Sequence, residues 1–303
     1  MKKIKWTEGN IGDLTGKTII ITGANSGIGF EATKLFSKNG AKVIMGCRNL
    51  EKAETAKNSI LKDVPQADLV IEQLNLSSFN SIKDFSLRIN KEYKQIDILL
   101  NNAGIMTVPY NPTDDGFESQ IGVNHFGHFY LTMSLLKVIT TTPNSRIVNI
   151  ASIAHKMGNL KPKTFKYEKG KKYSRGKAYS QSKLANLLFT YKLQELIGDK
   201  TMVLAAHPGI SSTNLGSHLK VLRYRFAKFI FGLFNQSQYM GSLPGVRAST
   251  DKNAKGGDYF GPDGLFEIKG FPKKVKSTKR SHSKELQDVL WNESVKLTGL
   301  NYK

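Results

Sequence analysis

Hydrophobic positions along the chain follow two periods, and the two alternate from the N-terminal part onwards. Short apolar runs typical of buried strands cover residues 17–22, 41–46, 68–74, 96–100, 146–150 and 202–206. Between them, apolar residues recur every three or four positions, which predicts helices over residues 30–38, 50–61, 79–93, 117–140 and 178–196. This alternation predicts an α/β fold, in which one doubly wound parallel sheet is covered by helices on both faces.

The predicted strands bring several glycine-rich and polar segments to one edge of this sheet. In an open parallel sheet, ligands bind beyond the carboxyl ends of the strands. The segments 22–29, 101–104 and 207–209, together with Ser152, all lie at these strand ends. The sequence shows no repeat and no low-complexity linker, so we expect one domain over residues 1–303. Within it we distinguish a cofactor-binding and catalytic core (14–209), a substrate-closing region (210–265) and a basic C-terminal extension (266–303).

The first predicted strand leads into the sequence Thr22-Gly-Ala-Asn-Ser-Gly-Ile-Gly29, and a helical pattern follows. A strand, a glycine turn and a helix in this order form the context in which a dinucleotide binds. Gly23 permits the tight turn, Gly27 lets the backbone approach the pyrophosphate, and Gly29 lets the helix pack closely on the strand. The cofactor contacts expected in this turn are Gly23, Asn25, Ser26, Gly27, Ile28 and Gly29.

A second motif places Tyr179 four residues before Lys183 in a helical pattern. This spacing puts the two side chains one above the other on a helix. An ammonium beside a phenol favours the phenolate, so we expect the pKa of Tyr179 to fall below its usual value of about 10. Such a hydroxyl could exchange a proton near neutral pH, as the interconversion of an alcohol and a carbonyl requires.

The choice of cofactor depends on the end of the second strand, which reads Gly46-Cys-Arg48. An enzyme that uses NAD(H) usually carries an acidic residue about 20 positions beyond the glycine motif, where it holds the ribose 2′-hydroxyl. Here the first acidic residue is Glu51. Arg48 can instead pair with a 2′-phosphate through its guanidinium group. We therefore expect NADP(H) rather than NAD(H), with a solvated surface arginine as the alternative interpretation of Arg48.

Composition narrows the class of protein. With 303 residues, of which 39% are hydrophobic, the chain can bury a full core. The single cysteine, Cys47, excludes an internal disulfide framework and fits a reducing compartment. The N-terminal residues lack the apolar core of a secretory signal, and no apolar run reaches the roughly 18 residues of a membrane-spanning helix. We expect a cytoplasmic protein, and no metal site is predicted.

The formal net charge of +21 is unusual for a soluble protein of this kind. Lysines cluster at 156–177 and 271–280, and the segment 219–234 is both apolar and basic. Such features attract anionic surfaces and suit the membrane interface. General surface basicity and peripheral contact with an anionic membrane both stay open. Nucleic acid is not expected, because the sequence shows no base-reading module.

Taken in order, these motifs resemble those of the short-chain dehydrogenase/reductase family over about residues 14–265. The phrases at 123–129 and 179–186 resemble the branch that contains retinol dehydrogenases and WW-domain oxidoreductases. The resemblance implies a Rossmann fold and four catalytic residues: Asn124, Ser152, Tyr179 and Lys183. It implies that Tyr179 is the general acid/base, that Lys183 lowers its pKa and binds the nicotinamide ribose, and that Ser152 donates a hydrogen bond to the substrate oxygen. Asn124 would kink its helix and hold a water that relays protons to Lys183.

The same resemblance implies further contacts with the cofactor. Besides Tyr179 and Lys183, these are Asn75, Leu76, Asn102, Ala103, Gly104, Pro208 and Gly209. One position departs from the family, which commonly has Asp where this chain has Asn75. An asparagine carbonyl can still accept a hydrogen bond from the adenine amino group. We therefore expect weaker anchoring of the adenine rather than loss of binding.

We interpret the sequence as an NADP(H)-dependent oxidoreductase that interconverts a carbonyl and an alcohol on a lipophilic small molecule. The apolar region 210–241 would close over that substrate, and the long segment 155–177 is expected to form a surface flap. The alternative is a cofactor-binding regulatory or scaffold protein of the same fold without significant turnover. The resemblance also implies a homo-oligomer, paired through the helix that carries Tyr179 and the helix before it.

Overall fold

The computed structural model describes residues 5–167, 172–210 and 236–302. Its centre is a sheet of eight strands in the spatial order β3-β2-β1-β4-β5-β6-β7-β8. The strands are β1 (Thr18–Thr22), β2 (Lys42–Cys47), β3 (Asp68–Gln73), β4 (Ile98–Asn101), β5 (Arg146–Ile150), β6 (Met202–Ala206), β7 (Tyr259–Pro262) and β8 (Pro272–Lys274). Only the pair β7–β8 is antiparallel. The predicted doubly wound parallel sheet is confirmed, with its topological switch point between β1 and β4.

Helices lie on both faces of this sheet. They are α1 (Gly27–Lys38), α2 (Leu50–Asp63), α3 (Phe79–Glu92), α4 (Ser119–Ile121), α5 (Gly127–Thr140), α6 (Arg175–Ile197), α7 (Gln238–Thr250) and α8 (Lys284–Thr298). Short 3-10 helices occupy Glu8–Asn10, Ile153–Met157, Pro162–Thr164, Gly198–Lys200, Leu265–Glu267 and Lys279–His282. α1 begins at Gly27 rather than at residue 30, because the end of the glycine turn forms its first turn. None of the helices in the described ranges is long and apolar enough to cross a membrane.

The strand β1 shows why the apolar runs predicted strands. Ile19 and Ile21 pack with Phe36 of α1 in one hydrophobic cluster, whereas Ile20 packs with Phe85 of α3 in another. All three isoleucines are fully buried. Because successive side chains of a strand point to opposite faces, a strand buried on both faces has an uninterrupted apolar sequence.

The helix predicted at 117–140 contains an irregular segment. It consists of α4, a π-helical segment (Gly122–Phe126) and α5 in one continuous run. The Gly127 N–H donates to the Gly122 carbonyl, five residues back, where an α-helix would use four. Single π-helical turns inside α-helices are frequent at functional sites. The family resemblance implied a kink at Asn124, and the structure has a π-helical segment around this residue.

The long segment between β5 and α6 is more than a surface flap. Leu160 and Phe165 are buried, and they pack with Phe126 and with Leu184 of α6. The polar composition of the segment concealed these two anchors, so the expectation of a loose flap was wrong for this part of it.

The C-terminal helix α8 packs against the outer side of α5 and α6. The Trp291 ring lies 5.4 Å from the Phe129 ring of α5 and 6.3 Å from the Phe189 ring of α6. The Ser294 hydroxyl is hydrogen-bonded to His125 at 2.9 Å. α8 therefore packs on the two helices through which the family resemblance implied pairing of two copies.

Candidate active site

The predicted site residues meet at the carboxyl edge of the sheet. They lie on the loops that follow β1, β2, β3, β4, β5 and β6, in the first turn of α1, in the π-helical segment between α4 and α5, and on α6. Parallel strands end at the same edge, so residues far apart in sequence come together there.

Tyr179 lies near the N-terminal end of α6 and is half-buried. Burial of its phenol raises the pKa of Tyr179 above its ordinary value of 10, and a hydrogen bond with Ser152 offsets this only in part. The sequence predicted a lowered pKa for Tyr179, and that direction is wrong for this structure. The spacing of the two residues says nothing about the apolar surroundings of the phenol, and these dominate.

Lys183 lies one helical turn after Tyr179 and is buried. Its Nζ donates a hydrogen bond to the Ile150 carbonyl at 2.9 Å and lies 5.8 Å from the centroid of the Tyr179 ring. Burial lowers the pKa of the Lys183 ammonium from 10.5 to about 8. The ammonium therefore has a backbone carbonyl, and not the phenol, as its hydrogen-bond partner.

Ser152 lies two residues after the end of β5 and is the N-cap of the 3-10 helix Ile153–Met157. Its Oγ accepts a hydrogen bond from the Ala154 N–H at 3.2 Å. Because a hydroxyl both accepts and donates, capping leaves its proton available to the phenol of Tyr179. The capping and functional interpretations of Ser152 are therefore compatible.

Asn124 lies at the centre of the π-helical segment, and its side chain is held by three hydrogen bonds. Oδ1 accepts from the Ile105 N–H at 2.9 Å, while Nδ2 donates to the Ile105 carbonyl at 3.0 Å and to Ser182 Oγ at 2.9 Å. A β carbon at Gly104 would lie 3.2 Å from Asn124 Oδ1 and 3.4 Å from Lys183 Nζ. Asn124 and Lys183 therefore flank the same glycine and are close neighbours.

The turn after β1 has the form that a bound pyrophosphate requires. Asn102 Nδ2 donates to the Thr22 carbonyl at 2.8 Å and fixes the start of the turn. A side chain at Gly29 would overlap the Gly23 carbonyl and the Asn102 amide, so only glycine permits this packing. Ser26 precedes α1 but makes no side-chain cap hydrogen bond. The first N–H groups of α1 can therefore bind an anion, and the residues present fit a dinucleotide.

At the end of β2, Arg48 is exposed at the same edge of the sheet. Its carbonyl accepts a hydrogen bond from Gln73 Nε2 at 2.9 Å, which ties its backbone to β3. The preceding residue, Cys47, is buried, and burial raises the pKa of its thiol to about 11. Cys47 is thus a neutral packing residue, and Arg48, directly after β2, is an exposed charged residue at this edge.

The loop after β3 corrects one expectation. Asn75 Oδ1 accepts hydrogen bonds from the Ser77 N–H at 3.2 Å and from the Ser77 hydroxyl at 2.7 Å. Both lone pairs of this oxygen are therefore used, and it is not the free acceptor that we expected for the adenine amino group. Leu76 is buried against Gly127, so its side chain belongs to the core and only its backbone could contact a cofactor.

Pro208 and Gly209 lie in the loop after β6, which packs against residues 267–268. The Ile210 N–H donates to the Ile268 carbonyl at 2.8 Å. Before the loop, His207 Nε2 lies 3.0 Å from Glu267 Oε2, and burial lowers the pKa of His207 despite this carboxylate. The apolar, basic segment 219–234 lies outside the described residues.

Two residues of the site were missed by the sequence analysis. Thr22 Oγ1 lies 2.8 Å from His128 Nε2, and His128 Nδ1 lies 3.1 Å from the Asn124 carbonyl oxygen. Thr22 and His128 are both buried. His128 follows Asn124 by four positions, the spacing that brings residues together on one side of a helix. That spacing was the signal that could have found it.

Comparisons with known proteins show the family to which the chain belongs. A family model described as short chain dehydrogenase matches residues 17–221. Retinol dehydrogenase 13 of Mus musculus is 37% identical over 294 residues, which cover 95% of this chain and 85% of that protein. Retinol dehydrogenase 14 of Mus musculus is 38% identical over 270 residues, which cover 84% and 80%.

Solved structures show the same fold. An uncharacterized protein from Mycobacterium paratuberculosis has a TM-score of 0.81 and 34% identity, over 99% of this chain and 100% of that one. A short chain dehydrogenase from Shigella flexneri 2a str. 301, complexed with NADP, has a TM-score of 0.65 and 21% identity, over 82% and 97%. At that identity the second likeness supports the fold alone.

Proposed function

Because the chain belongs to the short-chain dehydrogenase/reductase family and is an NAD(P)-dependent oxidoreductase, we propose that it uses NADP(H) to interconvert a carbonyl and an alcohol, with Tyr179 as general acid/base. The family assignment favours an enzyme over the alternative, a cofactor-binding regulatory or scaffold protein of the same fold without significant turnover. One observation carries the proposal. Tyr179, Ser152 and Lys183 lie together at the edge of the sheet where the glycine turn can bind a dinucleotide.

The proton is the part of the reaction that this chain supplies. In the direction of reduction, Tyr179 would give its hydroxyl proton to the substrate oxygen as negative charge develops there. Since the pKa of Tyr179 lies above 10, the phenol is protonated at neutral pH and ready to donate. The Ser152 hydroxyl, adjacent to the phenol, would donate a hydrogen bond to the same substrate oxygen. NADPH, when bound, supplies the hydride.

Lys183 would stabilise the product of this proton transfer, and Asn124 would hold Lys183 in place. A positive charge close to the phenol stabilises the phenolate that remains after proton transfer. Lys183 remains mostly protonated at pH 7, because its lowered pKa of about 8 is still above that pH. Its neighbour Asn124 is fixed by Ile105 and Ser182, which leaves the pair little freedom to move.

The preference for NADP(H) rests on the end of β2. Arg48 is exposed there, and the two residues before it, Gly46 and Cys47, are uncharged. A guanidinium at this position can pair with a 2′-phosphate, whereas a carboxylate would repel it.

For the substrate we propose a lipophilic aldehyde, ketone or alcohol. The named relatives, retinol dehydrogenases 13 and 14 of Mus musculus, are called after a lipophilic alcohol. The apolar sequence at 210–241 supports a substrate of this kind.

Oxidation of NADPH, followed by its absorbance, tests the proposal over a panel of short and long aldehydes and ketones. We expect turnover that rises with the apolar length of the substrate and is slower with NADH. A panel in which no carbonyl compound accelerates NADPH oxidation, and no alcohol reduces NADP⁺, would contradict the proposal.

A further inference from the structure

The hydroxyl of Thr22 reveals the protonation state of a buried histidine. Thr22 Oγ1 accepts hydrogen bonds from the N–H groups of Asn102 and Ala103, both at 2.9 Å. A hydroxyl has two acceptor lone pairs and one proton. With both lone pairs used, the Thr22 proton has to point to its third neighbour, His128 Nε2, at 2.8 Å. His128 Nε2 is therefore the unprotonated nitrogen of its ring.

The other ring nitrogen must then carry the proton. In a neutral imidazole, one nitrogen accepts and the other donates. Burial lowers the pKa of His128 to about 4, so the ring is neutral at any pH at which the enzyme would work. Nδ1–H lies 3.1 Å from the Asn124 carbonyl oxygen and donates to it. The donor and the acceptor are thereby assigned for each hydrogen bond that links Thr22, His128 and Asn124.

These hydrogen bonds fix the backbone of Asn124 in addition to its side chain. Its side chain is bound by Ile105 and Ser182, and its backbone carbonyl is bound by His128. The same imidazole is hydrogen-bonded to Thr22, the residue that directly precedes Gly23 of the glycine turn. We propose that His128 is a positioning residue of the active site, which holds the backbone of the π-helical segment in register with the turns that follow β1 and β4.

The inference rests on the proposed function, because it assigns His128 a part in catalysis through Asn124 and Lys183. Asn124 and Lys183 flank Gly104, so a shift of the Asn124 backbone would reach Lys183 directly. A displacement of about 1 Å in an active site can cost about a hundredfold in rate. Cofactor binding depends less on His128, since Thr22 still accepts from the Asn102 and Ala103 N–H groups when the imidazole is gone.

The tautomer can be tested without any substrate. In ¹⁵N NMR of the wild-type protein labelled at histidine, the ring of His128 should be protonated at Nδ1 and unprotonated at Nε2, and it should not titrate between about pH 5 and 9. His155 also accepts at Nε2 and lies 2.7 Å from a carbonyl at Nδ1, so the His128 signals are assigned by comparison with a His128 variant. His128→Gln should remove this signal. A His128 ring that carries its proton on Nε2, or that titrates in this range, would overturn the inference whatever the activity of the enzyme.

The catalytic role is tested by two variants that each keep half of the contacts. His128→Asn retains an N–H donor near the position of Nδ1, whereas His128→Gln retains an amide near Nε2 and loses that donor. We expect His128→Asn to keep kcat within about threefold of wild type. We expect His128→Gln to lose about 10- to 100-fold in kcat, with the Kd for NADPH changed less than about threefold.

His125→Gln is the matched control. His125 is buried in the same π-helical segment but is hydrogen-bonded to Ser294, away from the site. Its kcat should equal that of wild type, and thermal melting of all three variants reports any loss of folding. Equal losses in His128→Asn and His128→Gln, or full activity in His128→Gln, would refute the positioning role. A wild type that turns over no substrate but shows the expected tautomer would instead refute the proposed function.

Discussion

Two neighbouring ionisable residues in this site have pKa values that move in opposite directions. Burial raises that of Tyr179 above 10 and lowers that of Lys183 to about 8. At neutral pH the phenol is therefore protonated and the ammonium mostly charged. This combination suits a group that must give a proton and then persist beside a positive charge as phenolate.

The first prediction concerns the stability cost of Lys183. Below about pH 8 its ammonium is charged in both the folded and the unfolded state, and the fold bears the cost of burying that charge. Between the folded pKa of about 8 and the ordinary pKa of 10.5, the folded state loses the Lys183 proton while the unfolded state keeps it. The free energy of unfolding of the wild type therefore rises with pH across this range. Lys183→Met lacks this rise.

We therefore expect Lys183→Met to be more stable than wild type at pH 7, by at most about 3 kcal/mol. The difference should shrink between pH 8 and 10.5. Urea unfolding of both proteins across this range measures it. The same variant should be catalytically poor. A difference in the free energy of unfolding that does not change with pH would show that the Lys183 pKa is not lowered.

The second prediction concerns Arg48. Arg48→Asp removes the partner of a 2′-phosphate and adds a charge that repels it. The ratio of kcat/KM for NADPH over NADH should fall by about 10- to 100-fold, on the scale of charged hydrogen bonds of about 1.5–3 kcal/mol. Lys62→Asp makes the same charge change at the other, exposed end of α2 and should leave the ratio unchanged. A wild type that already prefers NADH would contradict the assignment.

Among the elements of the fold, the strands were the easiest to predict. The centre of β1, residues 19–21, is buried on both faces, so its sequence is an uninterrupted apolar run that is easily recognised. The π-helical segment could not be predicted as such, because its five-residue hydrogen bond leaves no mark on hydrophobic spacing. The sequence pattern did not predict β7, β8 or α7. β8 has three residues, and α7 contains Pro244 and little apolar periodicity.

In the C-terminal helix the residues Leu286, Val289, Leu290 and Leu297 fall roughly on one side, which predicts docking through them. Leu290 is buried, and Leu286 and Leu297 pack against the same hydrophobic cluster, so the prediction is confirmed for these three. Val289 is instead exposed at 36%, and the aromatic contact comes from Trp291, which the spacing did not indicate. Sequence spacing defines a helical face only roughly, whereas the packing of a large ring between Phe129 and Phe189 decides it.

A third prediction follows for α8. Trp291→Ala should lower the free energy of unfolding by about 3–5 kcal/mol, the usual cost of truncating a large buried aromatic side chain. Asn292→Ala, at an exposed position of the same helix, should change it by less than about 1 kcal/mol. Chemical denaturation of both variants makes the comparison. Equal effects would mean that α8 is not held by Trp291.

For the molecule as a whole, the sequence predicts which residues gather at the ends of the strands. It does not predict the hydrogen bonds that these residues make. Tyr179, Lys183, Ser152 and Asn124 come together as the order of strands requires. The direction of the Tyr179 pKa and the occupied oxygen of Asn75 were not predictable, because both depend on neighbours that only the folded chain supplies.

The charge of +21 leads to a fourth prediction, at this scale. We expect the protein to bind anionic liposomes at low salt, through its basic surface and the segment 219–234, and to be released as salt shortens the Debye length below roughly 8 Å. Co-sedimentation with neutral and anionic vesicles, at low and high salt, tests this. Equal recovery in the supernatant under all four conditions would leave the charge as general surface basicity.

The transferable proton of Tyr179 is the central claim, and Tyr179→Phe removes it while keeping the ring. We expect kcat to fall by about 10²–10⁴-fold, the usual contribution of general acid–base catalysis, with the Kd for NADPH within about threefold of wild type. Tyr191→Phe removes a hydroxyl from the same helix, where it is hydrogen-bonded to Ser277 at 2.8 Å, and should keep full kcat. Steady-state turnover by Tyr179→Phe above a few per cent of wild type would contradict the account.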